Sequence, residues 1–390
     1  MKLRLRTLIV CTLAGILTIS ASSSLFAGNR DRSGQAGAQH LLIDPWAKTN
    51  GWGNAGVAEI RGLESIYSNI AGMAFVNKTE FGFTHTRYLC GSGAGISINS
   101  FGIAQALYKK DKESGKKLKD YGVLGLSLFM MNFGDIPITT ENQPEGNQGT
   151  FSPNLMYITL SYAKSFNQYI HGGLTVKLVN ETGAADCSAM GFALDAGVQY
   201  VAGPYKNFKI GITLKNIGFP MSYGGDGLSI RGVVNTTDHE LTLEQRSAES
   251  EMPALLTLGL SYDFLFWGGE YKDMDKQDRK DEGLTREDAA HRLTLAGSFT
   301  ANSYSRDIFS FGLEYGFMRY FMVRVGYAIE GGMWKESTCT TWYTGPSAGV
   351  SVGIPLVKKG KGNQRLLLDY GYRFTNKWKG NHCIGIKVEL

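Results

Sequence analysis

From Thr79 onward the chain is written in strand period, and that alternation limits its fold more than any other feature. In "LTLGLSYDF", Leu256, Leu258, Leu260, Tyr262 and Phe264 share one phase, while Thr257, Gly259, Ser261 and Asp263 share the other. In "FKIGITLKN", Phe208, Ile210, Ile212 and Leu214 oppose Lys209, Gly211, Thr213 and Lys215. "FSFGLEYGF" (309–317) and the final "IGIKVEL" (384–390) repeat the pattern. Successive strand side chains point to opposite faces, so each run has one apolar and one polar face. The pattern predicts strands near 79–87, 93–108, 120–134, 150–165, 169–180, 188–202 and 206–217. It continues near 253–266, 290–302, 306–316, 319–329, 345–356, 364–374 and 381–390, about fourteen in all.

Such strands fit a soluble sandwich or a membrane barrel. The barrel is favoured on four grounds. Many runs reach nine residues, enough to cross a bilayer when tilted. An even strand number suits a bacterial barrel. Residues 1–27 read as a secretory signal peptide, with Lys2, Arg4 and Arg6 before an apolar stretch and a small-residue exit at Ala27. Trp267, Trp334, Trp342 and Trp378 fall at or beside strand ends, where an interfacial girdle would sit; ordinary loop packing is the other reading. Mean hydropathy is only −0.15, as expected when one strand face meets lipid. Glycine reaches 50 residues, about twice the usual share of roughly 7%.

Losing the signal lowers the net charge from +5 to about +2, too little for nucleic-acid binding. After it, no apolar run is long enough for a transmembrane helix. The remaining cysteines, Cys90, Cys187, Cys339 and Cys383, lack metal-ligand spacing. Export permits disulfides.

One stretch departs from strand period. In "GLESIYSNIAGMAF" (62–75), Ile66, Tyr67, Ile70, Met73 and Phe75 follow helical spacing. A barrel of about fourteen strands has a lumen too wide for its own side chains to fill. A short helical plug built around Ile66, Asn69, Ile70, Gly72 and Met73 would close it; a cap over the periplasmic mouth is the alternative. The expected division is signal peptide 1–27, N-terminal segment and plug 28–78, and barrel 79–390, with 28–42 a loose lead. The expected fold class is all-β, a transmembrane antiparallel barrel.

With both termini periplasmic, the connections at 165–168, 203–205 and 317–318 are periplasmic and short, while 135–149, 218–252 and 330–344 are extracellular and longer, as barrels prefer. The charged connection 268–290 breaks that trend. All four cysteines then lie near the extracellular end, and Cys90, Cys339 and Cys383 are candidates for a disulfide of open connectivity.

No catalytic, cofactor or metal residue emerges. "GPSAG" (345–349) matches a nucleophile elbow, but a strand follows Ser347 where a helix is needed. "DMDKQDRKDEG" (273–283) lacks the glycine and glutamate of a calcium loop, and "GSGAG" (91–95) has no helix after it to cradle phosphate. Asp195, Asp263, Glu314, Asp369, Arg373, Lys387 and Glu389 fall on the polar phase and are expected to pair inside the lumen. The candidate binding surface is the long connection carrying Phe219, Pro220, Met221 and Tyr223, which no strand obviously buries; packing over the barrel mouth is the other reading. The stretch 135–150 is a second candidate.

"DPWAKTNGWGNAGVAEIRGLESIYSNIAGMAF" resembles the N-terminal signature of the PorV/PorQ family, which is related to the FadL-type fatty-acid channels. "YGVLGLSLFMMNFGDIPITT", "LTVKLVNE", "FALDAGVQY", "IGITLKNIGFPMSYGG", "EMPALLTLGLSYDF", "FGLEYGF", "VRVGYAIEGG" and "LLLDYGYRF" resemble family segments in order, closer to PorV than to PorQ. The resemblance implies a FadL-like barrel in a Gram-negative outer membrane of Bacteroidetes type, in contact with its lipid and lipopolysaccharide. It implies a non-enzymatic part in type IX secretion. Such a protein binds the C-terminal signal domain of secreted cargo. It carries that cargo from the translocon barrel to a sortase-like attachment complex. A FadL-like transporter of hydrophobic small molecules is the alternative. Where the family has Asn-Pro-Ala-Gly, this chain has Asn69-Ile70-Ala71-Gly72, so its plug helix is expected to run further.

Overall fold

The computed structural model describes residues 30–390 apart from 92, 94, 111–116, 147, 184–186, 234–239, 273, 276–277, 280–283, 285 and 358–363. Among the described residues, fourteen strands close into one antiparallel barrel. They are β1 (Thr79–Arg87), β2 (Ser97–Lys110), β3 (Lys117–Asn132), β4 (Asn154–Ser165), β5 (Ile170–Thr182), β6 (Ser188–Ala202) and β7 (Phe208–Gly218). Then follow β8 (Leu255–Phe266), β9 (His291–Asn302), β10 (Ile308–Phe317), β11 (Phe321–Glu330), β12 (Tyr343–Pro355), β13 (Arg365–Thr375) and β14 (Asn381–Glu389). Each strand pairs with its chain neighbours, and β14 closes on β1 with Phe83 opposite Ile386. No strand edge is left open in the wall, as hydrocarbon requires.

The expected strands are all present, with ends shifted by about four residues at most. The alternation sorts the two faces. On β8, Leu258, Leu260 and Phe264 are exposed on the outside, while Thr257, Ser261 and Asp263 are buried within. Asp195, Asp263, Glu314, Asp369, Arg373 and Lys387 are all buried on the lumen side. The outer belt is chiefly Leu, Ile, Phe and Tyr. Its periplasmic aromatic rim includes Tyr162, Tyr200, Tyr262, Tyr315 and Phe317, with half-buried Trp267 packed 5.1 Å from the Tyr205 ring just past β8. Trp342 and Trp378 instead pack edge to face at 4.9 Å beside the extracellular loops.

The N-terminal segment runs through the lumen as a string of short helical turns at Gln39–Leu42, Ala47–Gly51, Ala55–Ala58, Ser65–Ser68 and Ile70–Phe75. Two expectations are corrected here. The helix does not run further for want of proline, because it stops at Ser68. Asn69 takes an extended conformation (φ −154°, ψ 106°) and its side chain accepts a hydrogen bond from the Ala71 amide. Asn69 Nδ2 also donates to the carbonyls of Val57 and Val198, so an amide side chain ends the helix here.

The second correction concerns residues 28–42, which are no loose lead over their described part. Ala36 bridges Glu251, and Gly37 N–H donates to the Glu251 carbonyl. Ala38 and Leu41 are buried beside Met221 and Met252. Glu251 belongs to the long β7–β8 connection, so Ala36 and Gly37 stand at the mouth with the long loops. The C-terminal strand ends at the opposite mouth, where Leu390 N–H donates to the Thr79 carbonyl. The described N-terminal segment therefore starts at the extracellular mouth, not on the periplasmic side assumed for both termini, and leaves into β1 on the periplasmic side.

Candidate functional site: the plugged lumen and its two mouths

Close packing of the plug is made possible by glycine on the lumen face. On twelve strands a glycine faces the plug; β4 and β9 offer Ala163 and Ala296 instead. A Cβ on Gly211 would stand 2.6 Å from the Val57 carbonyl oxygen, and one on Gly349 would stand 2.9 Å from the Gly51 Cα. Both separations are too short for any side chain, so backbone lies against backbone. The plug follows this belt in order. Ala47 and Gly51 lie on β12–β14, Trp52 and Ala55 on β10 and β11, Val57 and Ala58 on β7 and β8. Leu63 then covers Gly82 and Gly102, Met73 covers Gly125, and Ile70 covers Gly173 and Gly197.

Short helical turns leave carbonyls unpaired, and buried carbonyls need partners. The wall supplies them. Gln199 Nε2 donates to the Val57 and Ile60 carbonyls, and Ser298 Oγ donates to the Asn54 carbonyl. Ser347 Oγ donates to the Gly51 carbonyl from the middle of β12, so "GPSAG" is strand and its serine serves the plug.

The extracellular half is apolar. Leu41, Ile98, Phe129, Met131, Tyr157, Val179, Met221 and Met252 form one buried cluster there. The His40 ring lies near Phe129 and Tyr157, and its Nδ1 stands 3.1 Å from Glu181. A void of about 10 Å³ below this cluster, between Trp46, Tyr67, Phe129, Tyr157 and Lys177, has room for about one water.

The periplasmic half is ionic. Lys209 sits between Glu59 and Asp263, 2.7 Å from the latter, and Arg286 reaches Glu59 at 2.5 Å and Asp263 at 3.3 Å. Burial disfavours the Arg286 charge, but Glu59 and Asp263 outweigh it and push its pKa up. Lys387 bridges Glu64 of the plug at 2.8 Å and Glu389 at 3.0 Å. Glu314 takes Arg292 at 2.6 Å and Arg324 at 2.5 Å. Beneath these clusters lies a vestibule of about 1670 Å³, lined by the feet of the strands, the underside of the plug and residues of the 267–290 connection.

The predicted plug residues Ile66, Asn69, Ile70 and Met73 are all buried in the lumen, and a Cβ on Gly72 would stand 2.9 Å from Ser65 Cβ. The predicted surface residues divide. Phe219 and Pro220 are exposed. Met221 is not: it bridges Ser250 and packs into the extracellular cluster. Tyr223 is half-buried and donates to Glu181. The sequence reading missed the hairpin of Ser229–Val233 with Glu240–Glu244 in the same connection, which exposes Ile230, Leu241 and Leu243. Its alternation in "ELTLE" was the available signal. The stretch 135–150 holds one short ribbon, Ile136–Pro137 with Thr150–Phe151.

The candidate disulfide among Cys90, Cys339 and Cys383 is not formed in the structure. The Cys383 sulfur faces the lumen and bonds the Pro45 carbonyl, Cys90 bonds the Arg87 carbonyl, and Cys339 bonds the Thr341 carbonyl. Parts of "GSGAG" and "DMDKQDRKDEG" lie outside the described residues.

Register shifts occur in the β2–β3, β12–β13 and β6–β7 pairings, and the last faces the plug region. Pairing of β6 with β7 shifts between Leu194 and Ala196. Asn216, with φ +58°, fills the break; its N–H donates to Asp195 and its side-chain oxygen accepts from Lys177 at 2.7 Å.

No family model and no curated protein matches the chain. Solved structures with a similar course include the CymD monoaromatic hydrocarbon channel, at 12% identity and TM-score 0.49, covering 89% of this chain and 97% of that one. The Pseudomonas putida toluene transporter TodX follows at 12% identity and TM-score 0.46, covering 89% and 97%. A Pseudomonas aeruginosa FadL homologue has 12% identity and TM-score 0.42, covering 87% and 95%. The architecture stands on the strand pairing itself: the chain is a closed fourteen-stranded barrel of the outer-membrane type, plugged by its own N-terminal segment.

Proposed function

We propose that this barrel works at its extracellular mouth, as a non-enzymatic outer-membrane component of type IX secretion in a Gram-negative bacterium. In this reading it docks the C-terminal signal domain of secreted cargo and passes it from the translocon to the sortase-like attachment complex. The carrying observation is the packed extracellular half of the lumen: among the described residues, the void beneath its apolar cluster measures about 10 Å³, against the roughly 300–1,000 Å³ of a small-molecule pocket. A mouth closed in this way has its loop surfaces left to work with. The long β7–β8 connection offers exposed Phe219, Ile230, Leu241 and Leu243 there, and exposed apolar groups gathered at a loop suit a protein partner. The secretion part of the reading rests on the ordered sequence blocks alone.

A binding assay tests it. The detergent-solubilised protein should retain a cargo C-terminal domain, and replacing 218–240 should lower affinity at least tenfold. Full-strength binding after that replacement sinks the loop assignment; no binding by the intact protein sinks the reading.

The second reading is passage of hydrophobic small molecules. It is favoured by the monoaromatic hydrocarbons and toluene for which the CymD channel and the TodX transporter are named, and by the register break beside Asn216. Ligand uptake into proteoliposomes that depends on this protein would put it first.

A further inference from the structure

Among the described residues, the periplasmic vestibule carries a charge imbalance that the seal does not use. Each of the described acidic side chains on its wall has a basic partner: Glu59 has Lys209 and Arg286, Glu80 has Lys387, and Glu389 has Lys387 and Arg365. Glu287 and Asp288 have Arg319, and Glu314 has Arg292 and Arg324. The converse fails. Lys48, Arg61, Lys78 and Lys206 line the same cavity, and none of them makes an ion pair among the described residues.

Arg61 is the most constrained of the four. Its guanidinium lies over the Phe75 ring at 4.2 Å, and that ring lies 4.3 Å from the ring of His171. Arg61 Nε and Nη2 are buried without a hydrogen-bond partner, and so is Nε2 of His171, a residue only 3% exposed. Buried donors left unpaired are costly, and a carboxylate relieves a guanidinium best because it takes two parallel N–H bonds.

Size and spread decide what carries that carboxylate. The cavity of about 1670 Å³ exceeds the usual small-ligand pocket of roughly 1,000 Å³ or less. Lys78 precedes the foot of β1 and Lys206 stands in the β6–β7 turn, five strand spacings away around the ring. With about 4.8 Å or more between strands, no single small anion reaches both, whereas an extended chain does.

We propose that the vestibule binds an acidic peptide segment presented from the periplasm, with Arg61 as its anchor and Lys48, Lys78 and Lys206 meeting further carboxylates along it. The site faces away from the cargo surface and does not depend on that reading.

The test uses the full mature chain in detergent and a short fluorescein-labelled poly-aspartate peptide, read by anisotropy. Saturable binding is expected, weakening as salt rises. Arg61→Gln should lower affinity about tenfold or more, in line with loss of a charge-assisted pair. Lys48→Gln should lower it a few-fold. Lys335→Gln, on an extracellular loop, should leave it unchanged, and Arg61→Lys should recover part of the loss. Unaltered heat-modifiable gel mobility establishes that each variant is folded; should Arg61→Gln misfold, the Lys48→Gln and Lys206→Gln pair gives the same reading. Absence of saturable binding, or equal binding by wild type and the charge variants, overturns the proposal. Competition by inorganic phosphate as effective as by unlabelled peptide overturns the peptide assignment.

Discussion

The two halves of the lumen are closed by different chemistry. Toward the cell exterior, Leu41, Phe129, Met131, Val179, Met221 and Met252 make an apolar seal. Toward the periplasm, Glu59, Lys209, Asp263 and Arg286 pin the plug above an open chamber of about 1670 Å³. Apolar packing is non-directional and excludes water, so it suits a barrier. Buried ion pairs fix position but carry a large desolvation cost. Placing them next to a wet chamber limits that cost. The plug thus keeps outside from inside with its upper half and holds its place with its lower half.

The strongest way to break this comparison is Lys209→Met, which leaves Glu59 and Asp263 to share Arg286. Removing one partner of a buried pair costs about 3–5 kcal/mol. Urea unfolding of the folded barrel should show a loss of that order; a change within error would mean the lower cluster does not hold the plug. In the upper half, Met221→Ala should cost roughly 2–5 kcal/mol by leaving a cavity, and should also free the β7–β8 connection to proteases. If Met221→Ala leaves proteolysis unchanged, the loop is held by something else.

The belt of glycines joins the two halves. Gly211→Val would push a side chain onto the Val57 backbone and should cost about 1–3 kcal/mol or more. Gly297→Val is the control. A Cβ there meets nothing nearer than 3.7 Å, so its stability should stay within about 0.5 kcal/mol of wild type. Equal effects at the two positions would remove the belt from the account.

The smallest expected effect is on the extracellular latch. Glu251 accepts hydrogen bonds from Tyr304 and Arg32, which hold its pKa below the ordinary glutamate value of 4.5. A depressed carboxylate stabilises the folded form above the ordinary value and loses that contribution as pH falls through the folded value. Proteolysis of the 30–38 leg should therefore stay slow at neutral pH and rise only below pH 4.5. A leg that is cleaved equally fast at neutral and acid pH would show that this latch does not close.

Much of this was legible in the sequence. Every barrel strand was, because lipid on one side and a polar lumen on the other impose strict alternation on residues such as Leu256–Phe264. The lumen charges were legible for the same reason. The glycine belt lay in plain sight, since Gly211, Gly259, Gly312 and Gly385 all fall on the polar phase, where a purely hydrated lumen would favour polar side chains. The course of the plug was not legible. Its turns are too short to show a period, and their partners, such as Gln199 and Ser347, lie far along the chain. The fate of Met221 was hidden likewise, because residues 38–41, which bury it, read as a polar lead. Trp46 and Trp52, both buried against the wall, were silent because their contacts are glycines on distant strands.

The most direct test of the sealed lumen is ion conductance of the full mature chain in planar bilayers. The account predicts a closed baseline over the whole voltage range, with steady current appearing when Gly211→Val displaces the plug. A steady open current through the wild-type protein would contradict it.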